Sequence, residues 1–337
     1  MCGLALSAVA LVAPVGVPGL WSVSPVGAVP VSERTATWIA VTSREVALEL
    51  RAASDLPEAE ARGVAARQID EIASLIAHVL DAPSARTVVE SWCPRCDELA
   101  SRLWPGPLTL VVPRRAVVPP AAVGGLETIA VRSPSHPVAR RLLEELGGAS
   151  VSAPSANRSG HVSPTLARHV AEDFAGEEDL IILDGGRSEF GLESTVIDLS
   201  GRVPRLLRPG TVTLESLRAI LGEVEAPVID AQDASPGTAA RHYAPRTPAA
   251  LAPVGGVRGA LAEANVPCAV LCFDATHVPG PHTAISMPRD ARLYAGALYD
   301  ALRSADALGC ARIVIESPPS ADGLWRAVVD RLRRATA

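Results

Sequence analysis

Six short segments of the sequence place hydroxyl, amide or guanidinium groups where an apolar stretch begins or ends. In chain order they are WPGPLTLVV from Trp104, VRSPSHPVARRLL from Val131, SAPSANRSGHVSPT from Ser152, ESTVID from Glu193, LLRPG from Leu206 and SPGTAARHYAPRTP from Ser235. An arginine at a strand end, such as Arg132 or Arg208, can hold a carboxylate or phosphate, although an ordinary surface arginine is the alternative. Residues 152–160 can present N–H and hydroxyl donors to an anion or form a plain polar turn, and the residues alone leave both open.

Composition limits the chemistry that the chain can perform. With 337 residues, 48% of them hydrophobic, the chain is long enough for two domains. A net charge of −6 argues against a protein whose main role is to coat nucleic acid. All 31 cationic residues are arginines, so no site can use a lysine as Schiff-base former, phosphate ligand or general base.

Neither a metal centre nor a membrane anchor is predicted. Cys93 and Cys96 have the spacing of a zinc or redox pair, but no second Cys or His pair lies near them in the sequence. Six unpatterned cysteines fit a cytoplasmic protein. Residues 1–32 carry no charge, yet prolines and glycines interrupt each apolar run before it reaches membrane-spanning length, so buried strands joined by turns are expected there.

The order of predicted elements favours an α/β fold of the α+β kind in two domains. Predicted strands are residues 37–43, 75–79, 108–112, 128–131, 178–184, 194–199, 268–272 and 312–316, and predicted helices are residues 57–67, 85–91, 96–103, 136–146, 214–221, 291–302 and 324–334. Regular alternation near the C-terminus predicts a small doubly wound lobe with a parallel sheet. The expected division is a first domain of residues 1–223, a Pro- and Gly-containing linker of residues 224–250, and a second domain of residues 251–337.

Taken together, the six segments resemble, in order and spacing, the YrdC-type domain of threonylcarbamoyl-AMP synthases in their long, two-domain form. The similarity covers roughly residues 75–337. It implies a YrdC-like twisted mixed sheet with helices around a concave cavity, plus a small Rossmann-like parallel α/β lobe. It also implies a reaction of L-threonine, bicarbonate and ATP to threonylcarbamoyl-AMP and pyrophosphate. The product would pass to the downstream tRNA threonylcarbamoyl transferase machinery, with weak or no direct binding of nucleic acid by this chain.

The resemblance assigns expected roles to matching positions. His78, Arg132 and Ser194 fall where the family contacts threonine, with Arg132 on its carboxylate. The expected ATP-binding residues are Thr128, Ser155, Asn157, Ser163, Arg208, Tyr243 and Arg67. Phosphoryl transfer depends mainly on positioning and charge neutralisation, so no covalent catalytic residue is expected. Mg²⁺ would be held by the phosphates rather than by a protein metal site.

The resemblance fails in the N-terminal part of the expected site. The family's Lys-x-Arg-Pro motif falls on residues 67–70, where Arg67 replaces the lysine but Ile69 replaces the arginine. The family's first motif falls on residues 43–51 with little agreement. Removing a group that stabilises charge in the transition state usually costs on the order of 10²–10³ in rate. Three interpretations therefore remain open: a working synthase with intact or impaired activity, a synthase for another amino acid, and a degenerate, non-catalytic nucleotide- or RNA-binding paralogue.

Overall fold

The computed structural model describes residues 10–12, 39–40, 76–118, 120–123, 125–153, 155–158, 160–175, 180–226 and 242–337. Arg67, Ile69, the helix expected at residues 57–67 and the motif expected at residues 43–51 lie outside them. Within the strand expected at residues 37–43, the described part, Ile39–Ala40, is a strand. None of the described helices is long and apolar enough to cross a membrane.

The described chain mixes short strands with helices. Its strands are β1 (Ala10–Val12), β2 (Ile39–Ala40), β3 (Ile76–His78), β4 (Leu108–Pro113), β5 (Thr128–Arg132), β6 (Val151–Ala153), β7 (Leu180–Ile182), β8 (Thr195–Asp198), β9 (Arg205–Arg208), β10 (Ala249–Ala252), β11 (Cys268–Cys272), β12 (Thr283–Ser286) and β13 (Arg312–Glu316). Its helices are α1 (Ala82–Ala85), α2 (Pro94–Leu103), α3 (Pro137–Glu145), α4 (Ala167–Asp173), α5 (Leu214–Leu221), α6 (Val257–Ala264), α7 (Ala291–Ala307) and α8 (Leu324–Ala335). These elements confirm the predicted α/β class.

The first sheet is mixed and carries its main core on one face. Its strand order is β2-β6-β3-β5-β4-β8-β9. β3 runs parallel to β5 and β4 runs parallel to β8, whereas β5 is antiparallel to β4 and β8 is antiparallel to β9. Leu110 of β4 belongs to one apolar cluster with Leu99 of α2 and Leu217 of α5. Burial against these helices explains why β4 is apolar along most of its length.

The second sheet is wholly parallel, with strand order β10-β13-β11-β12. All five residues of β11 are buried, as expected for a parallel strand that is covered on both faces. Val270 packs with Val257 of α6, whereas its neighbour Leu271 packs with Leu298 of α7. Because successive side chains of a strand point to opposite faces, α6 and α7 lie on opposite sides of the sheet. The predicted doubly wound lobe is confirmed.

Several short elements are not apparent from the amino-acid pattern, and one predicted helix is misplaced. Five elements are not predicted: β6, α4, β10, α6 and β12. The helix predicted at residues 85–91 is wrong, because α1 starts earlier, where Asp81 accepts the N–H of Ser84 at 2.8 Å and caps the helix. β10 begins at Ala249, inside the range of residues 224–250 expected as linker.

The two sheets are joined through α4, α7 and the loop before β8. Arg303 of α7 forms two hydrogen bonds with the carboxylate of Asp173 in α4, at 3.1 and 2.6 Å, and donates to the carbonyl oxygen of Val162 at 2.6 Å. Gly191 allows the backbones to approach closely, because a Cβ atom there would lie 2.4 Å from the carbonyl oxygen of Ala295. The contact between the lobes is therefore both charged and closely packed.

Candidate active site

Four of the expected site residues meet where strands of the first sheet begin or end. His78 ends β3 and Arg132 ends β5, and the two residues are register partners on these parallel strands. Ser194 immediately precedes β8, and Arg208 ends the antiparallel strand β9. Because β4 and β8 run opposite to β5 and β9, all four residues lie at the same end of the sheet, which we call the polar end. Each of them is at most 1% exposed.

The turn before β4 fixes the direction of Arg132. Arg132 Nε donates to the carbonyl oxygen of Gly106 at 2.9 Å, and the N–H of Gly106 donates to the carbonyl oxygen of Ser133 at 2.8 Å. A Cβ atom at Gly106 would lie 2.2 Å from the carbonyl oxygen of Leu103, so the turn has no room for a larger residue. The WPGP segment therefore serves as the support of the buried guanidinium.

His78 is a buried, neutral imidazole. Its Nδ1 lies 3.1 Å from the carbonyl oxygen of Ile76, which can only accept, so Nδ1 carries the proton and Nε2 is left as an acceptor. Nε2 has no hydrogen-bond partner among the described residues. Burial and, secondly, the charge of Arg132 lower the pKa of His78 to about 3. His78 can thus orient a ligand by accepting a hydrogen bond, but it is too weak a base to take up a proton at neutral pH.

A buried hydroxyl network surrounds Ser194. The Oγ atom of Ser194 lies 2.7 Å from Oγ1 of Thr109 in β4. Arg208 donates to the same Oγ from Nη2 at 3.1 Å and to the Ser194 carbonyl oxygen from Nε at 3.1 Å. Two contacts from one guanidinium hold Ser194 in place, so the end of β9 is fixed to the start of β8.

The carboxylate of Glu193 lies directly beside the polar end. It accepts hydrogen bonds from Ser163 at 2.8 Å and from Tyr299 at 2.7 Å, and it pairs with Arg331 Nε at 2.7 Å. Burial by itself would raise the pKa of Glu193, but Arg331 and Arg208 outweigh it and lower the pKa to about 2. Glu193 is therefore ionised at any working pH, and its charge is already matched by protein groups.

The segment SAPSANRSG forms a loop braced by its own asparagine. Asn157 Nδ2 donates to the carbonyl oxygens of Arg158, at 2.8 Å, and His161, at 3.0 Å, and its Oδ1 has no partner among the described residues. The N–H of Ala244 donates to the carbonyl oxygen of Gly160 at 2.9 Å. The loop is thus tied to the chain near the end of the expected linker.

Two expected ATP-binding residues, Thr128 and Ser155, do not lie at the polar end. Thr128 begins β5, four residues before Arg132 and therefore ~13 Å away along the strand. Ser155 follows β6, which is antiparallel to β3, and so leaves from the opposite end of the sheet. Tyr243, by contrast, lies next to the groups that surround Glu193: it is fully buried, stacks on Tyr299 with ring centroids 5.6 Å apart, and has the guanidinium of Arg331 5.2 Å from its ring centroid. The nucleotide-binding roles of these three residues stay predictions.

Sequence reasoning overlooks three residues that shape the site, namely Thr109, Glu193 and Arg331. Thr109 and Glu193 carry a weak signal, because one is the polar residue in the apolar run LTLVV and the other opens the segment ESTVID. Arg331 carries none, because it is one of several arginines in α8. Only the fold brings it to a carboxylate 138 residues away.

The described residues do not form a metal site. None of their groups of three or more His, Cys, Asp or Glu side chains could hold a metal ion. Cys93 and Cys96 lie with their Sγ atoms 3.3 Å apart at the start of α2, and burial raises the pKa of Cys96 to about 12. A buried thiol that stays protonated at neutral pH is a poor nucleophile.

The polar end is suited to anionic ligands. It combines two buried guanidinium groups, a neutral imidazole acceptor and buried hydroxyls, whereas the nearby carboxylate is already neutralised by arginines. Guanidinium groups in a site of low dielectric constant hold carboxylates and phosphates strongly. The arrangement can bind and orient two anions without supplying a nucleophile.

Comparisons with known proteins agree with this chemistry. A Sua5/YciO/YrdC family model, described as "Telomere recombination", matches residues 49–210, and a model described as "Threonylcarbamoyl-AMP synthase, C-terminal domain" matches residues 212–337. The threonylcarbamoyl-AMP synthase of Pyrococcus abyssi is 38% identical over 275 residues, which cover 78% of this chain and 79% of the relative. That of Bacillus subtilis is 35% identical over 280 residues, covering 77% and 78%.

Solved structures give the same result. A crystal structure of P. abyssi Sua5 complexed with L-threonine matches with a TM-score of 0.71 and 32% identity, covering 87% of this chain and 85% of that one. A variant of P. abyssi Sua5 in which a histidine and the tyrosine after it are replaced by alanine matches with a TM-score of 0.69 and 30% identity, covering 88% and 95%. Sequence and structure therefore show that this chain belongs to the Sua5 family of threonylcarbamoyl-AMP synthases.

Proposed function

We propose that this chain catalyses the reaction of L-threonine, bicarbonate and ATP to threonylcarbamoyl-AMP and pyrophosphate. Relatives with the name of this synthase match most of the chain, and such enzymes are nucleotidyltransferases that use ATP as a substrate. This relationship favours a synthase that uses threonine over a synthase for another amino acid and over a non-catalytic paralogue. The observation that carries the proposal is the polar end, where two buried arginines and a neutral histidine meet in a chain of this family.

Threonine binds at the polar end through its three polar groups. The guanidinium of Arg132 pairs with the carboxylate, a geometry for which the planar fork is well suited. His78 Nε2 accepts a hydrogen bond from the ammonium or hydroxyl group of threonine, and Ser194 contributes a further hydroxyl contact. The orphaned acceptor of His78 supports this assignment, because a buried polar atom without a partner is costly unless a ligand satisfies it.

ATP occupies the neighbouring region on the side of β8 and β9. The nucleotide contacts Arg208 at the end of β9 and Ser163 and Asn157 in the adjoining loop. Four further residues stay predicted ATP-binding residues: Thr128, Ser155, Tyr243 and Arg67. ATP enters as its Mg²⁺ complex, with the ion held by the phosphates, as is usual for Mg²⁺ with nucleotide substrates.

The chemical step needs positioning more than covalent help. The threonine nitrogen attacks CO2 derived from bicarbonate, and a carbamate forms as the nitrogen loses a proton. A carbamate oxygen then attacks the α-phosphorus of ATP, the bond to the β-phosphate oxygen breaks, and pyrophosphate leaves. Both reactants of the second step are anions, so the charges of Arg132 and Arg208 lower the repulsion between them. Threonylcarbamoyl-AMP then passes to the tRNA threonylcarbamoyl transferase machinery.

The proposal is tested by following the carbon atom of bicarbonate. The full chain is incubated with L-threonine, ¹³C-bicarbonate and Mg-ATP, and the products are analysed by mass spectrometry together with pyrophosphate release. We expect threonylcarbamoyl-AMP that carries the label, and pyrophosphate release that depends on threonine. Serine in place of threonine is the matched control for the amino acid. Pyrophosphate release that does not depend on threonine, or no labelled product, contradicts the proposal.

A further inference from the structure

Arg331 is the one buried charged residue that the second lobe contributes in its described part, residues 242–337. It lies on α8, is 0% exposed, and reaches across to the first lobe. Its Nε pairs with Glu193 at 2.7 Å, and its Nη2 donates to the carbonyl oxygen of Pro209 at 3.0 Å. Glu193 precedes Ser194 in the chain, and Pro209 follows Arg208, so one guanidinium touches the neighbours of two residues of the polar end.

The carboxylate of Glu193 also accepts hydrogen bonds from two other side chains. Its second oxygen accepts the hydroxyl of Ser163 at 2.8 Å, and Tyr299 of α7 donates to the same oxygen as Arg331 at 2.7 Å. The carboxylate is 0% exposed, so these protein groups replace the hydration that it loses. A buried carboxylate without its cation would draw other donors toward itself. Arg208 of the polar end is one of them, because its charge already acts on Glu193.

We infer that Arg331 is a positioning residue of the synthase site: by holding Glu193 and the Pro209 carbonyl, the second lobe fixes where Ser194 and Arg208 present themselves to threonine and ATP. The inference rests on the proposed function for its ligands. It assigns the second lobe a specific task, because without α8 the carboxylate at the start of β8 would be buried without its cation. Arg331 itself contacts Glu193 and Pro209 rather than the ligands, and it acts on the ligands through Ser194 and Arg208.

The α8 helix provides a matched control for the experiment. Arg326, five residues before Arg331, also crosses to the first lobe, where its Nη2 lies 3.2 Å from Glu215 of α5. That pair is partly exposed and makes no contact with Glu193. Arg331→Met and Arg326→Met therefore remove the same kind of side chain from the same helix and the same interface, but only the first reaches the site.

The test measures threonine and Mg-ATP binding by calorimetry, and KM and kcat of product formation, on the full chain. We expect Arg331→Met to raise the Kd and KM for threonine at least tenfold, and Arg326→Met to change both less than about twofold. Tyr299→Phe, which removes one hydrogen bond to Glu193 and keeps the ring, should raise both by a smaller factor. Arg331→Lys, which keeps the charge but loses the fork, should fall between the wild type and Arg331→Met.

The outcomes separate positioning from a merely structural role. A variant that only folds less well lowers the active fraction, and so lowers kcat while Kd and KM stay unchanged; that result would overturn the inference. Equal shifts for Arg331→Met and Arg326→Met would overturn it too. If Arg331→Met fails to fold, Tyr299→Phe decides, and an unchanged Kd for threonine rejects the inference. A wild type that binds threonine without making product contradicts the proposed function alone, whereas one that binds no threonine contradicts both.

Discussion

The two lobes bury different kinds of side chain. Tyrosines aside, the first lobe buries fifteen polar or charged residues among those described up to Arg208, whereas described residues 242–337 bury one, Arg331. The second lobe has instead a parallel sheet whose central strand β11 is apolar and buried throughout. Even its single buried charge is directed at Glu193 of the other lobe.

This difference reflects how the work of binding is divided. Burying a polar group without a partner costs a few kcal/mol, and a charge costs more, so buried polar groups accumulate only where they are matched or where a ligand completes them. The first lobe carries that cost at the ends of its strands, where His78 keeps an unmatched acceptor. The second lobe supplies a well-packed support, to which the first lobe is fixed by Arg303 and Arg331.

Removing an arginine at a strand end of the first lobe should have the largest effect on ligand binding. Arg132→Ala should weaken threonine binding by roughly 2–5 kcal/mol, about 30-fold to several thousand-fold, because a charge-assisted pair is lost in a buried site. ATP binding should change little. Arg312, the exposed arginine that begins β13 in the second lobe, provides the control. Arg312→Ala should change the free energy of threonine binding by less than ~0.5 kcal/mol. Calorimetry with each ligand decides, and equal losses for threonine and ATP would identify Arg132 as structural.

Acid should destabilise the protein partly through His78, one of the two buried histidines in the described part of the first lobe. The pKa of His78 is about 3 in the folded protein, against about 6.5 in an unfolded chain. Between these values the unfolded state binds more protons, so stability falls as the pH drops through this window, by up to about 4 kcal/mol at pH 3. Glu193, with its pKa lowered to about 2, adds a loss only below about pH 4.5.

Chemical denaturation at several pH values measures this effect. His78→Gln should make the dependence between pH 6.5 and 4.5 shallower, because one side chain no longer titrates. Part of the slope should remain, since burial also lowers the pKa of His242, to about 4, and the pKa of His169. The loss that Glu193 adds below pH 4.5 should remain. A wild-type profile that is flat from pH 7 to 4.5 would show that His78 does not stay neutral in the folded protein.

Tight packing beside the polar end gives a third contrast. A Cβ atom at Gly210 would lie 2.4 Å from the backbone nitrogen of Thr195 and 2.8 Å from the carbonyl oxygen of Glu193. Gly210→Ala should therefore destabilise the protein by about 1–3 kcal/mol, as overpacking usually does, and lower activity as well. Gly201, whose Cβ would meet nothing closer than 3.7 Å, is the control. Thermal unfolding that places both variants at the same Tm would contradict the crowding at Gly210.

The polar end could be predicted from the sequence because its residues interrupt apolar runs. Arg132 and Arg208 each follow a β-branched or leucine-rich strand, and the fold needs only to align those strands. β11 and β13 are predicted with the bounds found, since buried parallel strands are continuous apolar runs. Short elements such as β6 and β12 could not be found, because three or four residues carry no clear periodicity.

The pairing of Glu193 with Arg331 lies beyond sequence reasoning for another reason. Local patterns report which face of an element is buried, but they do not report which residues meet across a 138-residue separation. In α8, Arg331 has the same side-chain chemistry as Arg333 and Arg334, and only packing distinguishes its position. The contact that links the lobes is therefore a property of the assembled fold.

The smallest expected effect concerns a glycine of the second lobe that, unlike Gly210, has no atoms crowded around it. Gly259 lies on the exposed face of α6 with a helical backbone, and a Cβ there would meet nothing within 4 Å. Gly259→Ala should stabilise the protein by about 0.5–1 kcal/mol, because alanine loses less conformational freedom in a helix. Gly255, four residues earlier, has equally open space but a φ of +70°, so Gly255→Ala should destabilise the protein by roughly 1 kcal/mol. Urea unfolding of both variants measures the sign of each change in stability. A loss of stability in Gly259→Ala would mean that a Cβ atom at this position of α6 does meet a neighbouring group.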